Sequence, residues 1–158
     1  MTGLEKATSF LLAKGYENRI LTFSVSTATV SLAAAAIGCQ EAHIAKSVTF
    51  YGQNDDAILI LMSGDAKVDS SLFKKQFGFK ARMLKGDDVE KYTGYQVGGV
   101  SPFDLPKTTS IYFDESLYRF TTIYPACGNA SSVARFELKE LEILLDMPKR
   151  INVCKDWQ

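Results

Sequence analysis

One lysine stands inside an otherwise apolar run, where a charge is unexpected. Residues 44–50 have the sequence IAKSVTF. In a β-strand alternate residues share a face, so Lys46 would lie on one face with Ile44, Val48 and Phe50. Its stem could run along the surface with the ammonium in water. Alternatively the ammonium is buried, and buried lysines are rare unless they are paired or functional.

A segment rich in glycine and ending in proline could bind a carbonyl or an anion. Residues 94–105 read GYQVGGVSPFDL. Gly98 and Gly99 allow a ligand to approach the backbone closely, since glycine has no Cβ. Pro102 fixes its own φ and biases Ser101 away from the helical region, so the loop should be stiff. A stiff loop can present backbone N–H groups to a ligand. A tight connection between two core elements remains the alternative.

Two other groups carry polar or charged atoms. Gly128 and Asn129 could contribute polar groups to a nearby site, although this pair is also ordinary turn chemistry. A basic cluster is formed by Lys74, Lys75, Lys80, Arg82 and Lys85. It is either a solvated face or a surface that contacts phosphates. Phe77 and Phe79 lie between these residues and are expected in the core rather than stacked on bases.

The composition excludes several classes of function. The chain has 158 residues, with 18 basic and 18 acidic side chains that cancel. This balance argues against indiscriminate coating of nucleic acid. His43 is the only histidine, which removes multi-histidine metal sites. The three cysteines include no C-x-x-C pair, so neither a disulfide framework nor a zinc site is expected.

The cysteine usage favours a reducing, cytoplasmic location. No signal peptide and no segment of membrane-spanning length is evident. A cysteine nucleophile remains possible if His43 lies beside Cys39 or Cys127, although nothing in the spacing is diagnostic. No nucleotide-binding or nucleophile-elbow motif occurs.

Periodicity predicts one α+β domain over residues 1–158, with helices and strands irregularly mixed. Helices are predicted over residues 3–15, 30–37, 69–77, 86–91 and 138–145. Strands are predicted over residues 19–25, 44–52, 57–63, 80–84, 109–113, 120–124 and 131–136, and residues 151–153 are predicted to be a terminal strand or a tail.

Three segments together resemble a known family. They are AAAAIGCQEAHIAKSVTF at residues 33–50, TGYQVGGVSPF at residues 93–103 and ACGN at residues 126–129. In this order and spacing the chain resembles the YbaK/prolyl-tRNA synthetase-associated editing domain family, over residues 20–146. The resemblance implies an α+β fold with a mixed, partly open, barrel-like sheet flanked by helices. No synthetase body is present, so a free-standing member is expected.

The resemblance also implies a function. Family members hydrolyse the ester that joins a wrong amino acid to the terminal ribose of a tRNA. Most often the tRNA is that for proline, carrying alanine or cysteine. The implied partners are the acceptor end of mischarged tRNA and a prolyl-tRNA synthetase, with no DNA, membrane, metal or cofactor.

The family's site residues map onto this sequence residue by residue. The catalytic lysine corresponds to Lys46. The family loop G-x-x-x-P corresponds to Gly98, Gly99, Val100, Ser101 and Pro102, and the second glycine turn to Gly128 and Asn129. Lys46 is expected to hydrogen bond to the aminoacyl or ribose end, while loop N–H groups hold the carbonyl as it becomes an oxyanion. Water, a substrate hydroxyl or a substrate thiol would attack.

One difference from the family keeps a second interpretation open. Some members carry a serine on the strand before the second glycine turn, whereas residues 125–128 here are PACG. A catalytically silent module of the same fold, which binds an RNA end or a synthetase, is therefore the alternative to a deacylase. A hydrolase built on Cys127 and His43 is the third candidate.

Overall fold

The computed structural model describes all of residues 1–158 and has five α-helices and ten β-strands. The helices are α1 (Gly3–Ala13), α2 (Val30–Ile37), α3 (Ser70–Phe77), α4 (Gly86–Thr93) and α5 (Leu138–Leu144). The first five strands are β1 (Ile20–Thr22), β2 (Ile44–Tyr51), β3 (Ala57–Ser63), β4 (Lys67–Val68) and β5 (Thr109–Asp114). The others are β6 (Thr122–Pro125), β7 (Ser132–Ala134), β8 (Phe136–Glu137), β9 (Lys149–Ile151) and β10 (Cys154–Lys155).

The sheet is mixed and curls into a half-barrel, which confirms the predicted fold class. Six strands follow one another in the order β8-β6-β2-β3-β5-β9. The pairs β2–β3 and β6–β8 are antiparallel, whereas β2–β6, β3–β5 and β5–β9 are parallel. Two separate two-stranded ladders, β1–β7 and β4–β10, accompany this sheet. A bridge between Ala126 and Val133 links the β1–β7 ladder to the end of β6.

The ends of α2 and α3 lie where capping residues predict them, whereas α1 ends two residues before the predicted position and α4 extends two residues beyond it. The Thr29 hydroxyl accepts a hydrogen bond from Leu32 N and begins α2, and Asp69 does the same for Leu72 N in α3. Gly38 and Gly78 end these helices in the left-handed conformation. These local signals fix where α2 starts, and the start of α2 forms part of the candidate site.

The predicted strand 80–84 was wrong. Only Met83 forms a bridge, to Phe50 of β2. On either side of it, Tyr51 N donates to Arg82 O at 2.9 Å and Leu84 N donates to Thr49 O at 3.1 Å. The segment therefore covers the far end of β2 through a short contact and continues into α4 instead of extending the sheet.

Three other predicted strands differ in length or position. Strand 19–25 shrinks to β1, and 131–136 is divided into β7, which pairs with β1, and β8, which pairs with β6. The predicted strand 151–153 is replaced by β9 and β10, with Val153 N bonded to Asp114 Oδ1 at 2.9 Å.

Two large cores lie on opposite faces of the curled sheet. One includes Leu11 of α1, Ala45 of β2 and Phe136 of β8. The other includes Phe50 of β2 and Phe73 of α3. Strand β2 contributes to both cores, so its side chains alternate between the two faces. None of the five helices combines the length and apolar composition needed to span a bilayer.

Candidate active site at the open edge of β2

The candidate site lies where β6 separates from β2. The parallel pairing of these strands covers only Ile44 with Tyr124 and Ala45 with Pro125. Farther along β2, Thr49 is covered by Leu84 through the backbone hydrogen bond described above. Between these two contacts the edge of β2 is open, and all residues from Ala45 to Thr49 line a cavity.

The cavity has a volume of about 630 Å³, and 14 of the 21 residues that line it are hydrophobic. Its walls are β2, the start of α2, the segment leading into α4, Val97, the loop of residues 98–102 (the glycine loop), Ala126 and Val133. This volume is in the range of small-molecule sites and equals that of roughly twenty water molecules. A small aminoacyl group alone needs far less, so space remains for part of the molecule to which it is attached.

Lys46 lines this cavity and has no ionic partner. Its Nζ lies 3.5 Å from Gly64 O, a long hydrogen bond, and none of the four salt bridges of the chain includes it. The side chain is half-buried on β2. Burial lowers the pKa of Lys46, while Asp65 and Cys154 oppose this shift and Lys67 adds to it. The ammonium thus keeps donors available and is poorly hydrated, so an oxygen of a ligand would bind it favourably.

Two residues of the glycine loop, Gly98 and Val100, line the same cavity as Lys46. Gly98 adopts φ +91°, a conformation that L side chains rarely adopt, and a Cβ there would lie 3.8 Å from Ala28 Cβ. The N–H of Gly99 donates to Gln96 O at 3.0 Å, whereas those of Gly98 and Val100 make no hydrogen bond within the protein. Two residues that line the cavity therefore keep their backbone donors free.

Ser101 and Pro102 lie behind this loop and line no described cavity. Both are buried, and Ser101 is 0% exposed. The Ser101 hydroxyl accepts a hydrogen bond from Phe103 N at 3.4 Å. From this position the two residues hold the loop against the core rather than face the space beside Lys46.

Gly99, Gly128 and Asn129 meet on the other side of the glycine loop. A Cβ at Gly99 would lie 2.7 Å from Asn129 Cα, so only glycine allows the two turns to pack this closely. Gly128 in turn contacts the backbone of Gly3, where a Cβ would lie 2.2 Å from Gly3 O. All three residues line a second, more polar cavity of about 470 Å³. Val97 borders both cavities.

Two hydroxyl residues of the main cavity escaped the sequence analysis. Thr27 and Ser47 both line it, and their side-chain oxygens are buried without any hydrogen-bond partner. In the sequence, Ser47 is distinguished only by its position next to Lys46, and the alternation of a strand places these two side chains on opposite faces of β2. Thr27 belongs to the run STAT at 26–29, which signals a helix cap, and Thr29 provides that cap.

The cysteine and histidine residues do not resemble a nucleophilic pair. Cys127 is fully buried in a core, lines no described cavity, and burial raises the pKa of its thiol to about 12. His43 stacks on Phe120 with ring centroids 4.2 Å apart, and its Nδ1 lies 3.2 Å from Thr122 O. No group of three or more histidine, cysteine or acidic residues is arranged to hold a metal ion.

The basic cluster lies partly beside the cavity. Met83, Leu84 and Gly86 line it, and Arg82 and Lys85 are their neighbours in sequence. The Arg82 guanidinium lies 4.8 Å from the centroid of the Tyr51 ring. Phe77 and Phe79 pack with Phe73 in the second core, which confirms that they are core residues.

Comparison with known proteins supplies the family. Residues 25–144 match the model of the aminoacyl-tRNA editing domain. The chain is 45% identical over 142 residues to the uncharacterized protein YwhH of Bacillus subtilis (strain 168), covering 90% of each. It is 27% identical over 96 residues to EbsC of Enterococcus faecalis, whose proposed activity is deacylation of Cys-tRNA(Pro) and Cys-tRNA(Cys), covering 60% of this chain and 58% of EbsC.

A solved structure agrees over nearly the full length. A proposed trans-editing enzyme for prolyl tRNA synthetase superposes with a TM-score of 0.87 at 26% identity, covering 98% of both chains. The matched residues 25–144 include all three segments on which the sequence resemblance rests. The chain belongs to the aminoacyl-tRNA editing domain family.

Proposed function

We propose that this protein is a free-standing deacylase that hydrolyses the ester of a mischarged tRNA. Alanine and cysteine on the tRNA for proline are the first substrates to test, since the relatives include EbsC and the proposed prolyl trans-editing enzyme. The observation that carries the proposal is the shared cavity, in which a partly desolvated lysine and free backbone donors line one space.

The chemistry needs no nucleophile from the protein. An aminoacyl ester is already activated, so positioning and stabilisation of the developing charge are sufficient. Water, or a hydroxyl or thiol of the substrate itself, forms a new bond to the carbonyl carbon. The ester C–O bond then breaks, and the ribose oxygen leaves as a hydroxyl with the proton that the attacking group gives up.

Each part of the site has a role in this reaction. Lys46 donates hydrogen bonds to the aminoacyl or ribose end. The free N–H groups of Gly98 and Val100 stabilise the carbonyl oxygen as it gains charge, while Ser101 and Pro102 keep the loop rigid. Gly99, Gly128 and Asn129 border the second cavity, where the adjoining nucleotide has space to bind. The loss of one oxyanion donor typically costs about 3 kcal/mol of transition-state stabilisation.

A panel of mischarged tRNAs tests the proposal. The purified protein is expected to release alanine or cysteine from tRNA for proline faster than the spontaneous rate, and to leave correctly charged tRNA intact. Failure to accelerate release of any small amino acid would remove the deacylase assignment.

One observation favours the second candidate, a silent module that binds an RNA end or a synthetase. Ala126 lines the cavity where some family members were expected to present a serine hydroxyl. The same panel separates the two functions, because a binder protects the ester and slows its spontaneous hydrolysis below the rate without protein.

A further inference from the structure

Two buried hydroxyls without partners stand out in the cavity wall. The oxygens of Thr27 and Ser47 are the buried side-chain N or O atoms that lack a hydrogen bond in this chain. Thr27 is 7% exposed, and both residues line the cavity that contains Lys46. A buried polar group without a partner destabilises a fold, so such groups are rare and call for a cause.

The surroundings of the two residues give no structural cause. The Thr27 backbone N–H already bonds to Ala130 O at 2.6 Å, so its position is fixed without the hydroxyl. The cap of α2 comes from Thr29, and neighbouring cavity residues such as Ala28, Ala33 and Ala126 are apolar. Valine at position 27 and alanine at position 47 would fit the same wall with no orphaned oxygen.

We propose that Thr27 and Ser47 form a polar subsite that binds a hydroxyl on the side chain of the aminoacyl group. Each hydroxyl can both donate and accept, and rotation about χ1 can turn it toward a ligand. Thr29, Thr49 and Tyr124 also carry hydroxyls in this cavity, but Thr27 and Ser47 are the residues whose hydroxyl oxygens are buried without a hydrogen-bond partner. This inference rests on the proposed function and ranks the small amino acids that it allows.

The chemistry predicts a preference by type of side chain. A site with hydrogen-bonding groups discriminates against an analogue without the matching group, because its own polar atoms then stay unpaired. Serine should therefore be favoured over 2-aminobutyrate, in which a methyl replaces the hydroxyl at nearly equal size. Threonine should likewise be favoured over valine, and alanine should follow serine.

The test compares size-matched pairs in hydrolysis and in binding. Hydrolysis is followed on tRNA carrying serine or 2-aminobutyrate. Binding is measured by calorimetry with the same two groups joined by an amide to 3′-amino-3′-deoxyadenosine, which cannot be hydrolysed. The wild-type protein is expected to favour serine about ten-fold in both, as for one net hydrogen bond. Thr27→Val and Ser47→Ala should each reduce this ratio, and the double variant should bring it close to one.

Control measurements distinguish a loss of substrate recognition from a loss of folding or stability. Thr122→Val makes the same change on β6 outside the cavity and should keep the wild-type ratio. The melting temperature of Thr27→Val should be unchanged or higher, since an unpaired buried hydroxyl is removed. Circular dichroism confirms that every variant is folded.

Three results would overturn the subsite, and a fourth would overturn only the deacylase proposal. Equal handling of serine and 2-aminobutyrate by the wild-type protein overturns the subsite, as does a ratio that survives both substitutions. An equal loss for both groups would assign the hydroxyls to the ribose or the amino group instead, and also overturns it. If no ester is hydrolysed but the amide analogues bind with the serine preference, the deacylase proposal fails while the subsite stands.

Discussion

Two partly buried lysines of this protein have very different surroundings. Burial lowers the pKa of both Lys6 and Lys46. Lys6 is fully occupied: its Nζ bonds to the carbonyl oxygen of Asp104, lies 3.7 Å from Asp104 Oδ2 and sits 4.5 Å from the centroid of the Tyr95 ring. Lys46 has one long contact to a carbonyl and is one of the residues that line the cavity. Burial therefore lowers the pKa of both lysines, although Lys6 has several partners and Lys46 has almost none. Under the proposed function, the lysine without partners is the one that binds the substrate.

The largest expected effects come from replacing each lysine with alanine, which should change activity at one position and stability at the other. Lys46→Ala should reduce kcat/KM for deacylation by about 100-fold or more, as the loss of a charged transition-state donor does. Its melting temperature should not fall much, because the Lys46 ammonium makes one long hydrogen bond and no salt bridge. Lys6→Ala should instead reduce the free energy of unfolding by about 1–3 kcal/mol and leave kcat/KM near the wild-type value.

Both variants are measured by single-turnover hydrolysis and by chemical denaturation. Wild-type deacylation by Lys46→Ala would remove this lysine from the mechanism. If Lys6→Ala is stably folded but loses most of its activity, the expectation that Lys6 contributes to stability and not to deacylation is contradicted.

A smaller effect is expected from two glycines with similar backbones. Gly98 and Gly78 adopt φ +91° and +81°, and an added Cβ would meet nothing closer than 3.8 Å at either. Alanine at either position should cost about 1–2 kcal/mol of stability through the left-handed conformation. Only Gly98→Ala should also reduce deacylation, about ten-fold or more, because it moves the free N–H groups of the loop.

Gly78→Ala is the matched control, since it ends α3 and lines none of the described cavities. Equal activity of the two variants at a temperature where both are folded would argue against an oxyanion role for the loop.

The pH dependence gives a third, more moderate contrast. Because the folded pKa of Lys46 lies below its ordinary value of 10.5, the folded state loses this proton first as pH rises. The unfolded state then binds more protons, so this residue makes stability increase with pH in the interval below 10.5. Deacylation should decrease over the same interval as the positive charge is lost.

The profile of kcat/KM against pH, corrected for spontaneous hydrolysis, checks this expectation. Lys46→Arg keeps its charge and should lack the alkaline decrease, whereas Lys6→Met should retain it. An alkaline decrease that persists in Lys46→Arg would assign it to another group.

The smallest effects are expected from the basic cluster. Arg82 and Lys85 flank residues that line the cavity, whereas Lys74 and Lys75 lie in the last turn of α3. If the first pair contacts phosphates, Arg82→Ala and Lys85→Ala should each raise KM for charged tRNA several-fold and reduce its salt dependence. Lys74→Ala and Lys75→Ala should change neither quantity. Equal effects of all four would indicate a general attraction of the face rather than specific contacts.

Local signals in the sequence predicted much of this fold. The caps at Thr29 and Asp69 and the left-handed Gly38 and Gly78 act within one helical turn, so the sequence alone contains them. The prediction of a strand over residues 80–84 was wrong because this segment pairs with β2 through a single bridge, at Met83. Whether a β-prone segment pairs along its whole length depends on its neighbours in the folded structure, which the local sequence does not specify.

The candidate site was predictable in part for the same reason. Lys46 and the glycine loop differ from their surroundings in residue type, and the family resemblance connects them. The polar pair of Thr27 and Ser47 gave no such signal, since serine and threonine are common in loops and strands. The cavity exists because β6 separates from β2 after Pro125. This separation depends on contacts between residues distant in the sequence, which the local hydrophobic periodicity does not encode.

The contact between Gly3 and Gly128 has a practical consequence for anyone who studies this protein. The start of α1 touches the second glycine turn through backbone atoms, and Met1 and Thr2 border the second cavity. A purification tag or fusion partner joined to the amino terminus would crowd the rim of the site. Kinetic constants should therefore be measured with the tag at the carboxyl end or after its removal.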